Sequence, residues 1–334
     1  MKIVIPGGSG QVGTVLARAF QGGGDEVVVL SRRPEAQPWR VVAWDGVSPG
    51  AWQREIEGCD ALINLAGRSV NCRYTPQHRQ EILESRVRST DVIGQAIASA
   101  ARPPRVWLQA STATIYAHRY DAPNDERSGI LGGHEPDAPD TWRFSIDVAR
   151  AWERAFDEAV CGHTRKVALR SAMTMSPDRG GVFDTLRRLA WCGLGGRSGN
   201  GRQFVSWIHD ADFIAAVRWL IDRQDIDGVV NIAAPNPLPN SEFMQELRHA
   251  CGIRFGLPST PWMLEVGAFF MRTETELILK SRRVVPARLL EHGFKFRYPD
   301  WRDAARDLCR QSLEFRDQPF VLKNPSSLLR PPAP

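Results

Sequence analysis

Paired cysteines, lysine and long apolar runs are all scarce in this chain, and each scarcity excludes a class of protein. The six cysteines (Cys59, Cys72, Cys161, Cys192, Cys251, Cys309) contain no Cys-x-x-Cys pair. That argues against a zinc module and against a disulfide scaffold, so they are expected to be reduced and mostly buried. The seven histidines show no His-x-x-x-His spacing, and no Gly-Lys-Ser/Thr phosphate loop is present, so no metal site is expected. No apolar run approaches the roughly 20 residues that span a bilayer, and no targeting leader is seen before a strand beginning at Lys2, so a soluble cytoplasmic protein is expected. Only five of the 43 basic residues are lysines. The arginines behind the net charge of +5 are dispersed, with no basic stripe of stacking aromatics to bind nucleic acid.

What is present is a regular alternation. The runs KIVI, EVVVL, RVVAW, DALINLAG, RVWLQAS and KVALRS are separated by helical stretches at 11–22, 49–57, 76–101 and 141–161. Strands alternating with helices predict a parallel sheet covered on both faces. The expected fold class is therefore α/β, a Rossmann-type doubly wound domain over 1–175 completed by about 204–234. Residues 176–203 and 235–315 form a smaller, mostly helical C-terminal lobe, and 316–334 reads as a mobile tail. FVSWIHDAD reads as a strand running into a helix capped by Asp210.

The opening, MKIVIPGGSGQVG, places Gly7, Gly10 and Gly13 between a strand and a helix. There, backbone N–H groups and a helix N-terminus can meet a pyrophosphate, with Ser9, Gln11 and Val12 beside it. At the end of the second strand an acidic residue would select the ribose hydroxyl of NAD. The chain has Ser31, Arg32 and Arg33 instead, which favours the 2′-phosphate of NADP(H).

Taken together, GGSGQVG, SRRP, INLAG, ESRVRST, STATIY, AWE, GNGRQFVSWIHDAD and VNIAAPNPLPNSEF resemble the extended short-chain dehydrogenase/reductase superfamily. More narrowly they resemble its atypical branch of NAD-dependent epimerase/dehydratase-like proteins with a small C-terminal domain of unknown function, over about residues 1–312. The resemblance implies that Asn64, Leu65, Ala66 and Gly67 line the adenosine side of the cofactor. It places Ser111, Thr112 and Tyr116 where the superfamily keeps a catalytic serine or threonine, and Ala172 and Met173, after Arg170 and Ser171, beside the nicotinamide. Relatives in the superfamily are often homodimers built from paired helices.

One departure matters more than these matches. The superfamily's reducing chemistry uses a Tyr-x-x-x-Lys pair, and counting back from Glu153 those positions fall at Ser145 and Ala149. Neither side chain can act as the general acid. The substitutes offered by the sequence are Tyr116 as proton donor, or a water held by Ser111 and Thr112. Arg86 is a candidate for binding a substrate or the cofactor, Arg202 and His209 are candidates for substrate binding, and the glycine-rich connector 193–203 reads as a lid. Trp152 reads as core and Glu153 as solvated or ion-paired. The leading expectation is an NADP(H)-dependent oxidoreductase or epimerase-like enzyme acting on a small polar carbonyl or sugar-related molecule. The alternative is a non-catalytic NADP(H)-binding sensor or regulator.

Overall fold

The computed structural model describes residues 1–135, 139–259 and 276–317. Seven strands form one all-parallel sheet: β1 (Lys2–Pro6), β2 (Glu26–Ser31), β3 (Arg40–Ala43), β4 (Ala61–Asn64), β5 (Val106–Thr112), β6 (Arg165–Ser171) and β10 (Gly228–Ile232). Their order is β10-β6-β5-β4-β1-β2-β3, so the direction of winding reverses between β1 and β4. In open sheets of this kind ligands bind at the strand C-termini beside that reversal.

The period-two pattern of the strands explains why both faces are covered. Ile3, Ile5, Val27, Val29, Ile63, Leu108 and Leu169 face Leu16 and Phe20 of helix α1 (Gln11–Gly22) and Phe213, Val217 and Leu220 of α5 (Asp210–Asp222). The alternate residues Val4, Val28, Leu30, Leu62, Trp107 and Ala168 pack on Val92, Ile93 and Ala96 of α2 (Pro76–Ser99) and Phe156 of α3 (Asp140–Glu158). The stretch expected as a helix at 49–57 is only a short 3-10 turn, Ala51–Glu55.

A separate core gathers Phe183 of α4 (Val182–Trp191), Phe243 and Leu247 of α6 (Asn240–Ala250), and Trp301 and Leu308 of α7 (Trp301–Asp317). The expected strand in FVSWIHDAD is broken at Ser206. Phe204–Val205 (β8) pairs antiparallel with Leu238–Pro239 (β11), whereas Trp207–His209 (β9) pairs parallel with Met173–Met175 (β7). At the break the buried Ser206 hydroxyl donates to the carbonyl of Arg282 at 2.6 Å. The N-cap of α5 is His209, not Asp210 as expected, although Asp210 Oδ1 also accepts from Ala211 N. Residues 318–334 of the expected tail lie outside the described residues.

Two long loops are pinned by the C-terminal segment. Asn124 N donates to the Arg283 carbonyl at 2.6 Å and Val285 N to the Asn124 carbonyl at 3.0 Å. The connector expected as a lid is likewise tied down: Gly199 N donates to Ser259 O, Ser259 N to Arg197 O, Leu257 N to Gly193 O and Ser241 N to Gly201 O. Backbone bonds thus hold this connector against residues 241 and 257–259. Of the six cysteines, all free, Cys59, Cys161 and Cys309 are buried and Cys192 is exposed.

Candidate functional site

The nucleotide cradle is built locally. Gly7 has φ +75°, and its N–H donates to the Leu30 carbonyl at 2.9 Å. A Cβ at Gly7 would lie 2.6 Å from the backbone of Ala66, and one at Gly13 would lie 2.4 Å from Gly8 Cα. These two glycines therefore serve close packing of the loop on the end of β4 and on itself. Gly10 differs: it N-caps α1, and a Cβ there would meet nothing nearer than 3.7 Å. No acidic residue stands in the first turn of α1, so the positive end of the helix dipole is uncompensated. Gln11 follows Gly10, and its amide nitrogen is buried without a hydrogen-bond partner among the described residues. At the tip of β2 the Ser31 hydroxyl donates to Ser9 Oγ and accepts from Arg33 N, both at 3.2 Å, while the side chains of Arg32 and Arg33 are exposed. An open helix N-terminus beside exposed guanidinium groups fits a dinucleotide carrying a 2′-phosphate.

Asn64 is placed differently from the expectation. Fully buried, it donates to Gln109 Oε1 and accepts from Ala66 N, both at 3.0 Å, so it shapes the end of β4 instead of facing a ligand. Leu65 and Ala66 are the backbone against which Gly7 packs, and Gly67 packs against the Arg86 side chain.

Farther along the strand ends lies a cavity of about 210 Å³. Thr112 at the end of β5, and Ser171, Ala172 and Met173 at and after the end of β6, form its floor, and Ser145 and Ala149 of α3 line one wall. Arg86 of α2, Tyr74 and the C-terminal segment's Glu276 and Arg282 also line it. Ser145 and Ala149, the positions to which the resemblance assigns the usual catalytic pair, thus both line the cavity. Ser145 Oγ donates to the buried Glu276 carboxylate, whose other oxygen stands 3.8 Å from the Arg282 guanidinium. Arg86 lies over the Trp152 ring at 5.0 Å and donates to the carbonyls of Arg68 and Ile82. Burial pushes Arg86 down to about 10, against the opposing influence of Tyr74. Trp152 is buried as expected, and it also lines this cavity.

Behind the cavity runs a second polar chain that is closed on itself. Ser111 Oγ donates to Glu153 Oε1 at 2.5 Å, and Arg170 grips both Glu153 oxygens at 2.8 and 2.7 Å. Arg170 also donates to the Tyr116 hydroxyl at 3.1 Å, and that hydroxyl donates to Asn231 Oδ1 at 2.9 Å. Burial works against the Arg170 charge, but the Glu153 carboxylate outweighs it and holds the guanidinium protonated more firmly than usual. Glu153 is thus ion-paired, with its side chain 12% exposed.

This arrangement corrects the proton-donor expectation for Tyr116, which is 2% exposed, does not line the cavity and has its hydroxyl engaged on both sides. Burial raises its pKa, with Arg170 and Asn231 opposing the shift. Ser111 is likewise bound to Glu153 and absent from the cavity wall; only Thr112 of the three lines it. His209 is fully buried away from the cavity, stacked on Tyr298 and bonded to Asp307 at 3.2 Å. Arg202 is exposed, 5.8 Å from the Tyr120 ring, and also outside the cavity wall. Sequence reasoning missed Tyr74, Glu276 and Arg282. Tyr74 carried a weak signal as one of only four tyrosines, whereas the other two enter the site only through the chain's return. No cluster of three or more metal-ligating side chains occurs among the described residues.

Comparison with known proteins adds to this geometry. The NAD dependent epimerase/dehydratase family matches residues 3–137, and a domain of unknown function, DUF1731, matches residues 260–308. Epimerase family protein SDR39U1 of Mus musculus is 30% identical over 313 residues, covering 92% of this chain and 99% of that protein. An epimerase family protein of Staphylococcus aureus strain MW2 is 27% identical over 93% of this chain and 99% of its own. The crystal structure of human SDR39U1 with NADPH has a TM-score of 0.81 at 28% identity, covering 93% of this chain and 99% of that one.

Proposed function

The chain belongs to the NAD-dependent epimerase/dehydratase family, and from that premise we propose that it binds NADP(H) and acts as an oxidoreductase or epimerase-like enzyme on a small carbonyl or sugar-related molecule. The observation that carries this reading is a shared edge: the cradle at β1 and β2 and the cavity at β5 and β6 stand at the C-terminal edge of one parallel sheet. When bound, the dinucleotide supplies or takes up a hydride. Gly10 and the first turn of α1 would hold its pyrophosphate, and Arg32 and Arg33 its 2′-phosphate. Ala172 and Met173, in the cavity floor, would flank the nicotinamide.

The remaining cavity residues set what can react there. Val70, Ile82, Phe144, Val148 and Trp152 exclude water, and the polar groups among them orient a substrate. Human SDR39U1, crystallised with NADPH, supports the choice of cofactor. We place the protein in the cytoplasm, supported by six cysteines that stand as free thiols. No helix among the described residues is long and apolar enough to cross a membrane.

A second reading, a binding protein without turnover, is favoured by Ser145 and Ala149 standing where the catalytic pair would be. Titration with NADPH and NADH, followed by nicotinamide fluorescence in wild type and Arg32→Ala, tests the shared premise. NADPH should bind at least about tenfold tighter than NADH, as expected for a charge-assisted phosphate contact, and Arg32→Ala should lose that preference. Equal binding of the two cofactors would reject the NADP assignment. Consumption of NADPH with carbonyl compounds then separates enzyme from sensor.

A further inference from the structure

We propose that Tyr74 is the proton donor of the cavity, doing from the loop before α2 what α3 cannot, with Arg86 and Arg282 as the cations beside it. The proposal rests on the reductase reading above. In the reduction the substrate carbon gains a hydride from the reduced nicotinamide, which is oxidised. The carbonyl π electrons move to oxygen, the O–H bond of Tyr74 breaks to protonate that oxygen, and the phenolate regains a proton from solvent.

The cavity contains a limited set of protic groups, and their chemistry separates them. Thr112, Thr114, Ser145 and Ser171 carry alkyl hydroxyls, far weaker acids than a phenol. The proton of Ser145 is already directed to Glu276, and Ser171 donates to the Leu169 carbonyl at 3.4 Å. Glu276 lies 3.8 Å from Arg282, which favours the carboxylate, and a carboxylate has no proton to give. Guanidinium groups do not release protons in proteins. Tyr74 is left.

Position and electrostatics agree. The Tyr74 ring stands edge-on to Phe144, the residue before Ser145, with centroids 5.1 Å apart, and both rings line the cavity. The charged groups lining the cavity around it are Arg86 from α2, and Glu276 and Arg282 from the C-terminal segment. From α3 come the uncharged Phe144 and Ser145. Burial lowers the pKa of both arginines, and the ionised phenol of Tyr74 acts on each in the opposite sense. Two cations that line the same cavity as one phenol can serve it as a lysine does in a Tyr-x-x-x-Lys pair.

The first test needs neither substrate nor cofactor. Tyrosinate absorbance is followed against pH in wild type and Tyr74→Phe. One of the four tyrosines should ionise about one pH unit or more before the others, and that early step should be absent from the variant. Superimposable early titrations would overturn the proposal. The second test uses NADPH with phenanthrenequinone as the probe carbonyl. Tyr74→Phe should lower kcat about a hundredfold or more while NADPH affinity stays within about twofold, since phenylalanine keeps the ring. Unchanged kcat would overturn the donor role. A loss in Glu276→Gln as deep as in Tyr74→Phe, with no early step in wild type, would move the donor to the carboxylate and Ser145. If wild type binds NADPH but reduces no carbonyl, the reductase reading fails, and the titration still decides whether Tyr74 is the acidic phenol.

Discussion

The cradle and the cavity occupy one edge of one sheet, yet they are built in opposite ways. The cradle comes from consecutive residues, Gly7 to Gly13, and works by what is missing: a Cβ at Gly7 or Gly13 would collide with backbone. The cavity is assembled from Tyr74, Arg86, Thr112, Ser145, Ser171 and Glu276, six positions spread over some two hundred residues, and it works by the charges it brings together. A local device is fixed by sterics, whereas an assembled one depends on ion pairs that only the finished fold closes.

Four experiments break or sharpen that contrast. The largest effect is expected at Glu153, which supports the cavity from behind. Glu153→Ala leaves Arg170 a buried charge without its carboxylate and should cost about 3–5 kcal/mol, read as a fall in the denaturant midpoint. An unchanged midpoint would mean that the ion pair is solvated in solution.

Lys280 tests the C-terminal segment that closes the cavity. It is 1% exposed, donates to the Thr114 carbonyl at 2.7 Å, and burial lowers its pKa from 10.5 to about 8, with Arg282 adding to the shift. Below pH 8 the folded state carries the charge at a cost. Between about 8 and 10.5 the folded lysine is neutral while the unfolded one still binds a proton, so this group's contribution makes stability rise with pH across that window. The rise should amount to at most about 3 kcal/mol and be missing in Lys280→Met. Chemical denaturation at several pH values in both proteins checks this, and parallel curves would refute it.

In the cradle, Gly13→Ala pushes a methyl group to within 2.4 Å of Gly8 Cα. It should cost about 1–3 kcal/mol of stability by overpacking and weaken NADPH binding at least about tenfold. Normal affinity would show that the loop yields easily. The smallest effect belongs to Tyr116→Phe, which removes the bonds to Asn231 and Arg170 for about 1 kcal/mol net. Turnover should remain, and a large loss of kcat at unchanged stability would restore Tyr116 to the chemistry.

The parallel sheet and the cradle could be read before any coordinates because both rest on local rules: apolar runs of strand length between helices, and glycines at a strand-to-helix turn. The pairing partners of Tyr116, Ser111 and His209 could not. Each sits where a catalytic group is plausible in sequence, and each is instead held by a residue 42 to 115 positions away. The break of FVSWIHDAD at Ser206 was hidden for the same reason, since its two halves pair with different distant strands.

By itself the sequence determined the doubly wound sheet and the glycine cradle with its arginine tip, because period, turn chemistry and residue identity are properties of neighbouring residues; that Ser145 and Ala149 replace a catalytic pair is what the family resemblance implies. Only the tertiary structure decided that Tyr116 belongs to a closed buried network and that Tyr74, Glu276 and Arg282 share a cavity with Ser145. Proximity between distant segments follows from how sheet, helices and the returning C-terminal chain pack, which no spacing along the chain encodes.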